Sequence, residues 1–578
     1  VSASTLGQLQ AFLKRTPLRT PARWCRFWTR IVLDQAFFRR QILLWREYRP
    51  WKKKYGGVLR PPLAVGRTER RRRREAPKAL VVAKGTANGA KIELGLIKGL
   101  ELAGYAPVVL TERDLAKFYR LGGVRELVYW DEFADRADGV GAAGALRRFR
   151  SVDDLLAFTH EGTRVGRFAA STTFRFLRVG HLELSSPETR RVLADHLSLG
   201  MIRAAAARRL LQRIQPRLAL FLDNRYTGQA ELWDLCVEEE VGVITWFEAH
   251  RPNTLMLKRY RRENRDQHHA SLSDRSWQLV RAMEWTPDRR ARLRHEIDHH
   301  YATGDWYCRG GTQFNRKILS ADRIRERLRL DPRKKTAVVF PHIVWDATLF
   351  WGRDLFDNYE EWLVETVRAA CGNPRVNWIV KIHPANVVKS AWEGYAGESA
   401  EVVAIRERIG ELPPHVTLIP AADDINTFSL FDVMDVCVTV RGTIGVEAAT
   451  LGIAVVTAGS GRYDRKGFTF DSETRQQYLN RLATIEELPQ LTPAQRELAE
   501  RFAYGAFVMR PLTLQCMSIE YARDREARMK VSLNARNADG FRTAPDLRQF
   551  ADWVAHSTDE DFLQPPESVG DRALSRSA

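Results

Sequence analysis

Two short segments constrain this chain more than any bulk property: Val380-Lys-Ile-His-Pro-Ala-Asn386, and Val440-Arg-Gly-Thr-Ile-Gly-Val-Glu-Ala-Ala-Thr-Leu-Gly-Ile-Ala-Val-Val456. In the first, an apolar strand ends in Lys381, His383 and Pro384. In the second, a Gly442-Thr443 turn opens a small-residue helix that carries Glu447, and Gly452 leads into another apolar strand. Together they read as half of a nucleotide-binding α/β domain. The first amides of such a helix lack intrahelical partners and sit at the positive end of its dipole. With Arg441 and the Thr443 hydroxyl they would meet a phosphate. Glu447, about a turn further on, is placed to accept from ribose hydroxyls.

The same pattern recurs upstream. Ala79-Leu-Val-Val-Ala83 runs into Lys84-Gly-Thr-Ala-Asn-Gly89, then a helix from Ile92 to Ala103, then Pro107-Val-Val-Leu110, which is a βαβ opening. Its loop has neither the G-K-[ST] ending of a P-loop nor the G-x-G-x-x-G spacing of a dinucleotide site. Gly85, Asn88 and Gly89 therefore either let backbone approach a ligand in an interdomain cleft or form a plain turn. Two further strands, Leu218–Asp223 and Gly242–Phe247, deliver Asp223, Asn224, Glu248 and His250 at their carboxyl ends, where open α/β sheets bind ligands. Thr336–Phe340 ends in Pro341-His342 and would reach the same cleft from the other side. Asp423-Asp424 precedes a short helix, and its carboxylates either contact a nucleotide or cap that helix.

His383-Pro384, Asp423-Asp424 and Gly442-Thr443-x-Gly445-x-Glu447-Ala448 ahead of Gly452 resemble, in order and spacing, the donor half of GT-B glycosyltransferases. The resemblance covers roughly residues 335–480 and is to bacterial capsule-polysaccharide biosynthesis proteins, which are similar to Kdo transferases, bacterial sialyltransferases and teichoic-acid polymerases. Thr457-Ala-Gly-Ser-Gly-Arg-Tyr463 with Gly467-Phe468 fits the same group. It implies two Rossmann-like domains facing a cleft. The second would bind a nucleotide-sugar donor through Lys381, His383, Pro384, Asp424, Arg441, Gly442, Thr443 and Glu447, and the first would supply the catalytic base. That base must accept a hydroxyl proton, for which His250, Glu248 and Asp223 are the candidates. The segment lacks the His-Gly pair of the related polymerases. His383-Pro384 leans toward a cytidine nucleotide donor. The expected activity is sugar transfer to a lipid-linked or polysaccharide acceptor, with no cofactor beyond the nucleotide-sugar co-substrate and no metal. The alternatives are a nucleotide-sugar 2-epimerase, which has the same fold, and a non-catalytic capsule-assembly scaffold.

Charge is unevenly placed. Residues 1–74 hold 20 Lys/Arg against 3 Asp/Glu, so +17 of the net +20 lies there. Trp24, Trp28, Ile31, Phe38, Ile42 and Trp45 recur at helical spacing, while Arg23, Arg26, Arg30 and Arg40 lie off that stripe. This is the pattern of an amphipathic helix lying on an anionic inner-membrane surface. The alternative is a helix whose aromatic stripe packs on the protein's own core. No nucleic-acid-binding fold accompanies the charge, so nucleic acid is not an expected partner.

The 578 residues are too many for one core. The expected organisation is a basic aromatic arm and linker (1–77), an acceptor-side domain with a helical insertion (78–330), a nucleotide-sugar domain (331–491), return helices (492–556) and a disordered tail (557–578). Six cysteines without a C-x-x-C pair indicate neither a disulfide framework nor a zinc knuckle. The absence of a bilayer-length apolar run or a signal-peptide core points to a cytoplasmic, peripheral protein. His295-Glu-Ile-Asp-His299 is a literal H-E-x-x-H. Its charged flanks suggest a solvated surface helix, and His268-His269 reads as a surface pair.

Overall fold

Apolar runs without polar alternation, such as Ala79–Val82 and Val436–Val438, belong to strands covered on both faces, as parallel sheets are. A computed structural model describes residues 35–59, 75–222, 225–346, 349–524 and 526–565. Strands β1 (Lys78–Val82), β2 (Ala106–Thr111), β3 (Glu126–Tyr129), β4 (Leu218–Phe221) and β5 (Gly242–Glu248) form a parallel sheet in the order 3-2-1-4-5, extended by antiparallel β6 (Thr254–Tyr260). A second sheet of β7 (Thr336–Val339), β8 (Asn377–Lys381), β9 (Val416–Ile419), β10 (Val436–Thr439) and β11 (Ala454–Thr457) is parallel throughout in the order 9-8-7-10-11. The expected pair of Rossmann-like sheets is what the structure shows. Each reverses its strand order between its first and fourth strands, and the crevice at the carboxyl ends there is the natural ligand position.

Packing moves the expected boundary at 330/331. Trp277, Leu293, Ile297, Tyr301 and Ile324 share a core with Val338, Ile379 and Cys437 of the second sheet, so the chain joins the second half well before β7. The helical insertion bridges in the same way: Ala169, Phe174 and Leu193 pack with Trp345, Trp362 and Val380.

After the helix Pro493–Ala503 the chain returns to the first half. β12 (Leu512–Thr513) pairs antiparallel with β6, β13 (Met517–Tyr521) and β14 (Met529–Leu533) form a hairpin, and the helix Pro545–His556 packs on Ala87–Leu102. Gly99 permits that last contact, since a Cβ there would overlap the Phe550 ring.

The arm forms the expected helix, and the tail differs from expectation. The helix Gln35–Leu59 buries Leu44, Trp51, Tyr55, Val58 and Leu59 in the core of the first half, with Trp45 half-buried. Lys91 Nζ donates to Glu47 at 2.6 Å and Arg40 Nε to Asp114 at 2.9 Å. The packed face is thus Leu44, Trp51, Tyr55 and Val58; of the expected stripe, Ile42 and Trp45 are half-buried and stand outside that core, with Arg49 over the Trp45 ring. Trp24, Trp28 and Ile31 lie outside the described residues, and the Phe38 side chain is not described.

Residues 557–565, expected to be disordered, are fixed over β6. The Phe562 amide donates to the Leu257 carbonyl at 3.3 Å. The fully buried Asp561 carboxylate lies 2.9 Å from Lys258 Nζ and 3.4 Å from Arg510 Nη2, and accepts from the Ser273 amide at 2.7 Å. A polar segment is held because one carboxylate neutralises two buried cations. Residues 566–578 lie outside the described residues. Replacing Asp561 by Ala leaves both cations unpaired, at a cost of about 3–5 kcal/mol. Differential scanning calorimetry should show the first-half transition several degrees earlier; an unchanged thermogram would refute this.

Candidate functional site

The carboxyl ends of the two sheets face each other across a cavity of about 470 Å³. From the second half, β7 leads to His342, β8 to Lys381 and His383, and β10 to Gly442 and Thr443. From the first half, β5 leads to Glu248 and His250, and the loop after β6 brings His268 and His269.

The helix Thr443–Thr450 opens with Gly442 as its N-cap and no side-chain cap, so its leading amides are open to a ligand. Gly445 lets the helix seat closely, because a Cβ there would overlap the Tyr463 hydroxyl, which donates to the Gly442 carbonyl at 2.7 Å. Lys381 is buried on the cavity wall, and among the described residues its Nζ has no hydrogen-bond partner. Burial, aided by the Arg316 charge, lowers its pKa to about 7. An unpaired buried ammonium carries a penalty that an incoming anion removes.

His342 and His383 flank this point. The Arg441 amide donates to His342 Nε2 at 3.3 Å, and the Ala385 amide to His383 Nδ1 at 3.2 Å. Burial lowers both pKa values, His383 to about 4 with the Lys389 charge assisting, so both rings are neutral at pH 7. In neutral rings whose lone pair accepts at one nitrogen, the other carries the proton and can donate to a ligand. Glu447 is buried, its carboxyl raised by desolvation to about 7 despite the hydroxyl of Tyr301 donating to it.

The structure brings Lys381, His383, Pro384, Gly442, Thr443, Glu447, His342, Glu248 and His250 to one cavity and leaves other expected residues out. Arg441 is buried, with its guanidinium donating to the Trp351 carbonyl and the Asp354 carboxylate; it braces the 351–354 loop instead of facing a phosphate. Arg462 lines the cavity in its place, with one guanidinium nitrogen 3.2 Å from the Arg441 carbonyl. Asp424 pairs with Arg327 at 2.7 Å and Lys317 at 3.2 Å, so it anchors the helix Ala321–Leu328 away from the cavity. Gly85, Asn88 and Gly89 also lie outside the lining. Asn88 donates to the Met529 carbonyl at 2.7 Å, and the Gly89 amide is capped by Thr86 at 3.0 Å, so the loop is closed by the return hairpin and its own helix. Asp223 lies outside the described residues.

The base candidates are differently constrained. Burial alone would raise Glu248, yet Arg309 and Lys84, which both pair with it, outweigh burial and hold its pKa at about 2. His250 is fully buried between Trp306 and Phe507, with Nε2 2.7 Å from Glu296. That contact also corrects the reading of H-E-x-x-H as a solvated helix: Pro287–Ala302 buries Leu293, Ile297 and Tyr301, and its glutamate holds His250 and Arg251. Among the described residues no group of three or more His, Cys, Asp or Glu is placed to hold a metal ion.

Residues 295–498, about a third of the chain, match the family model of capsule polysaccharide biosynthesis proteins. No curated protein matches the chain at a significant level. Among solved structures, it is similar to Thermosulfurimonas dismutans KpsC, a β-Kdo 2,4 transferase (13% identity, 51% of this chain and 81% of that chain, TM-score 0.31). Another is the Neisseria meningitidis UDP-GlcNAc 2-epimerase bound to UDP-GlcNAc (11% identity, 74% and 96%, TM-score 0.25). The matched segment spans Lys381 to Glu447 and Arg462, and it begins within the helix that supplies Glu296 and Tyr301.

Sequence reasoning missed Arg462, Glu296 and the His268-His269 pair. Arg462 stood in the Gly-Ser-Gly-Arg-Tyr run already singled out for family resemblance; Glu296 stood in the H-E-x-x-H segment and the histidines stood out as a pair, but both read as surface features. Glu447 yields a pH prediction. Because its folded pKa lies above the ordinary glutamate value, its contribution is fully present below about pH 4.5 and is lost as pH rises through about 7. Glu447→Gln should remove a stability loss of up to about 1.4 kcal/mol per pH unit in that window. Melting temperatures of the two proteins from pH 4.5 to 8 test this, and parallel curves would sink it.

Proposed function

We propose that this protein is a GT-B glycosyltransferase of capsule or related surface-polysaccharide synthesis. It takes a nucleotide-sugar donor on the second sheet and a saccharide acceptor from the first. The observation that carries this reading is the unpaired, buried Lys381 ammonium on the wall of the cavity that also holds the uncapped Thr443–Thr450 amides, at the carboxyl ends of two facing doubly wound sheets.

In this reading the nucleotide phosphates meet Lys381, Arg462, the helix amides and the neutral His342 and His383 donors. As the glycosidic bond breaks, negative charge grows on the leaving phosphate, and fixed cations in a water-poor cleft stabilise it more than bulk water does. These side chains provide the neutralisation that a divalent metal supplies elsewhere. Glu447 and Tyr301 sit one turn deeper and take the ribose. Among the described residues no helix is long and apolar enough to cross a membrane. The exposed Arg46, Arg49, Lys52, Lys53 and Lys54 face of the Gln35–Leu59 helix holds the enzyme on the anionic inner-membrane surface, near a lipid-linked acceptor.

The deciding experiment is nucleotide release from CMP-, UDP-, GDP- and CDP-linked donors, with and without a membrane glycolipid extract. Acceptor-dependent release of one nucleotide is expected, lost in Lys381→Met; release without any acceptor requirement, together with epimerised sugar, would favour the 2-epimerase. Since only the charged amine attracts phosphate and its free pKa is about 7, nucleotide affinity should fall by up to tenfold per pH unit above that point. A flat affinity from pH 7 to 9 would refute the role of Lys381. For the membrane, Lys52, Lys53 and Lys54 changed together to Glu should weaken co-sedimentation with anionic vesicles by at least a hundredfold, given about 1 kcal/mol per basic residue. Equal sedimentation would reject this face as the contact.

A further inference from the structure

A base for the acceptor hydroxyl must reach the cavity and carry a free lone pair at neutral pH. Three candidates already on the wall do not meet both conditions. Glu248 has its two oxygens on Lys84 and Arg309. His250 is fully buried and tied to Glu296. Asp346 is engaged by Tyr226 at 2.7 Å, Arg175 at 3.1 Å and Lys389.

The His268-His269 pair is different. Both rings are partly exposed and line the cavity from the first half. They lie 4.2 Å apart, with Trp351 at 4.6 Å from His268 and 5.2 Å from His269, and Phe247 at 4.2 Å from His269. His268 Nδ1 accepts from the Ala270 amide at 3.0 Å, so its neutral ring bears the proton on Nε2 and acts as a donor. The His269 backbone carbonyl accepts from Arg510 Nη1 at 3.0 Å, while its ring is held by packing: among the described residues neither ring nitrogen has a hydrogen-bond partner.

We propose that His269 is the catalytic base of this cleft. The inference rests on the glycosyltransferase reading and adds the residue that activates the acceptor. The acceptor oxygen bonds to the anomeric carbon, and the bond from that carbon to the phosphate oxygen breaks, leaving its electron pair on the nucleotide. The hydroxyl proton passes to the open nitrogen of His269, while His268 Nε2–H orients the acceptor. The charged groups facing His269 are Arg225, Arg309, Arg462 and Arg510, together with His268. Burial and these charges keep the free enzyme's imidazole neutral. A bound nucleotide offsets those charges and makes the ring more basic, so the base strengthens once the donor is in place.

The test compares the full-length wild type with His269→Gln and His269→Gly for nucleotide affinity, acceptor-dependent release and the pH profile of kcat. His269→Gln should bind nucleotide within about threefold of wild type yet transfer about 10²–10⁴-fold more slowly. It should also lose the acidic limb of the profile, and added imidazole should restore part of the His269→Gly rate. Transfer by His269→Gln within threefold of wild type would overturn the assignment. So would joint loss of nucleotide affinity and transfer, which would make the residue part of the donor cradle. Wild-type protein that neither binds nor releases any nucleotide would overturn the transferase reading itself, and this inference with it.

Discussion

The Asp346 carboxylate fixes the separation of the two halves. It follows β7 of the second sheet, and it accepts from Arg175 and Tyr226 of the first half and from Lys389 of the second. Burial would raise its pKa, yet Lys389 and Arg175 outweigh burial and hold it well below the usual carboxylate range. The set is half-buried, so removing one partner leaves charge partly uncompensated and favours opening of the contact. Arg175 also reaches Glu393 at 2.6 Å, and Arg178 reaches the same carboxylate at 2.5 Å, so the helix Val165–Leu177 and the turn after it grip the helix Ala385–Glu393 along one edge. The cleft width, and so the distance between the Lys381 wall and the His269 wall, follows from this clamp.

Within that width, desolvation sorts the cavity's titratable groups into roles. The histidines His268, His269, His342 and His383 all lose basicity by burial among cations, which leaves the positive charge to Lys381, Arg462 and the other lining Arg and Lys side chains, and the imidazoles as neutral hydrogen-bonding groups. Glu447 goes the other way, toward a protonated carboxyl. A site with surplus positive charge and little open negative charge is complementary to a diphosphate or to a phosphate beside a sugar carboxylate. It holds its penalty in reserve until such an anion arrives.

The sequence made legible what is decided within a few residues. Lys381, His383, Gly442, Thr443 and Glu447 reach the cavity because a strand end and the first turn of a following helix leave little freedom in where side chains emerge. Arg441 did not follow suit, because the direction of its guanidinium is set by Trp351 and Asp354, some ninety residues earlier. Asp424 was read as capping or ligating, and it is drawn away by Arg327, which has no sequence relation to it. Gly85 and Gly89 looked open only because the hairpin that covers their loop arrives more than four hundred residues later. The tail misled for a different reason. Composition argued that it had nothing to bury, while the need for it lies in Lys258 and Arg510, elsewhere in the chain.

His268 and His269 show how long-range structure brings residues that carry no local signal to the cavity wall. Two adjacent histidines in a polar loop are ordinary surface features, and their distinction comes from what surrounds them. Trp351, the residue whose carbonyl Arg441 holds, packs against both rings and pins them at the cavity. Arg441, which the sequence suggests as a phosphate ligand, thereby acts on the opposite wall of the cavity: it braces the loop whose Trp351 packs on His268 and His269. The two walls of the cavity are thus connected through a buried guanidinium, so a change at Arg441 disturbs the setting of His268 and His269 on the far wall, which its position beside Gly442 does not suggest.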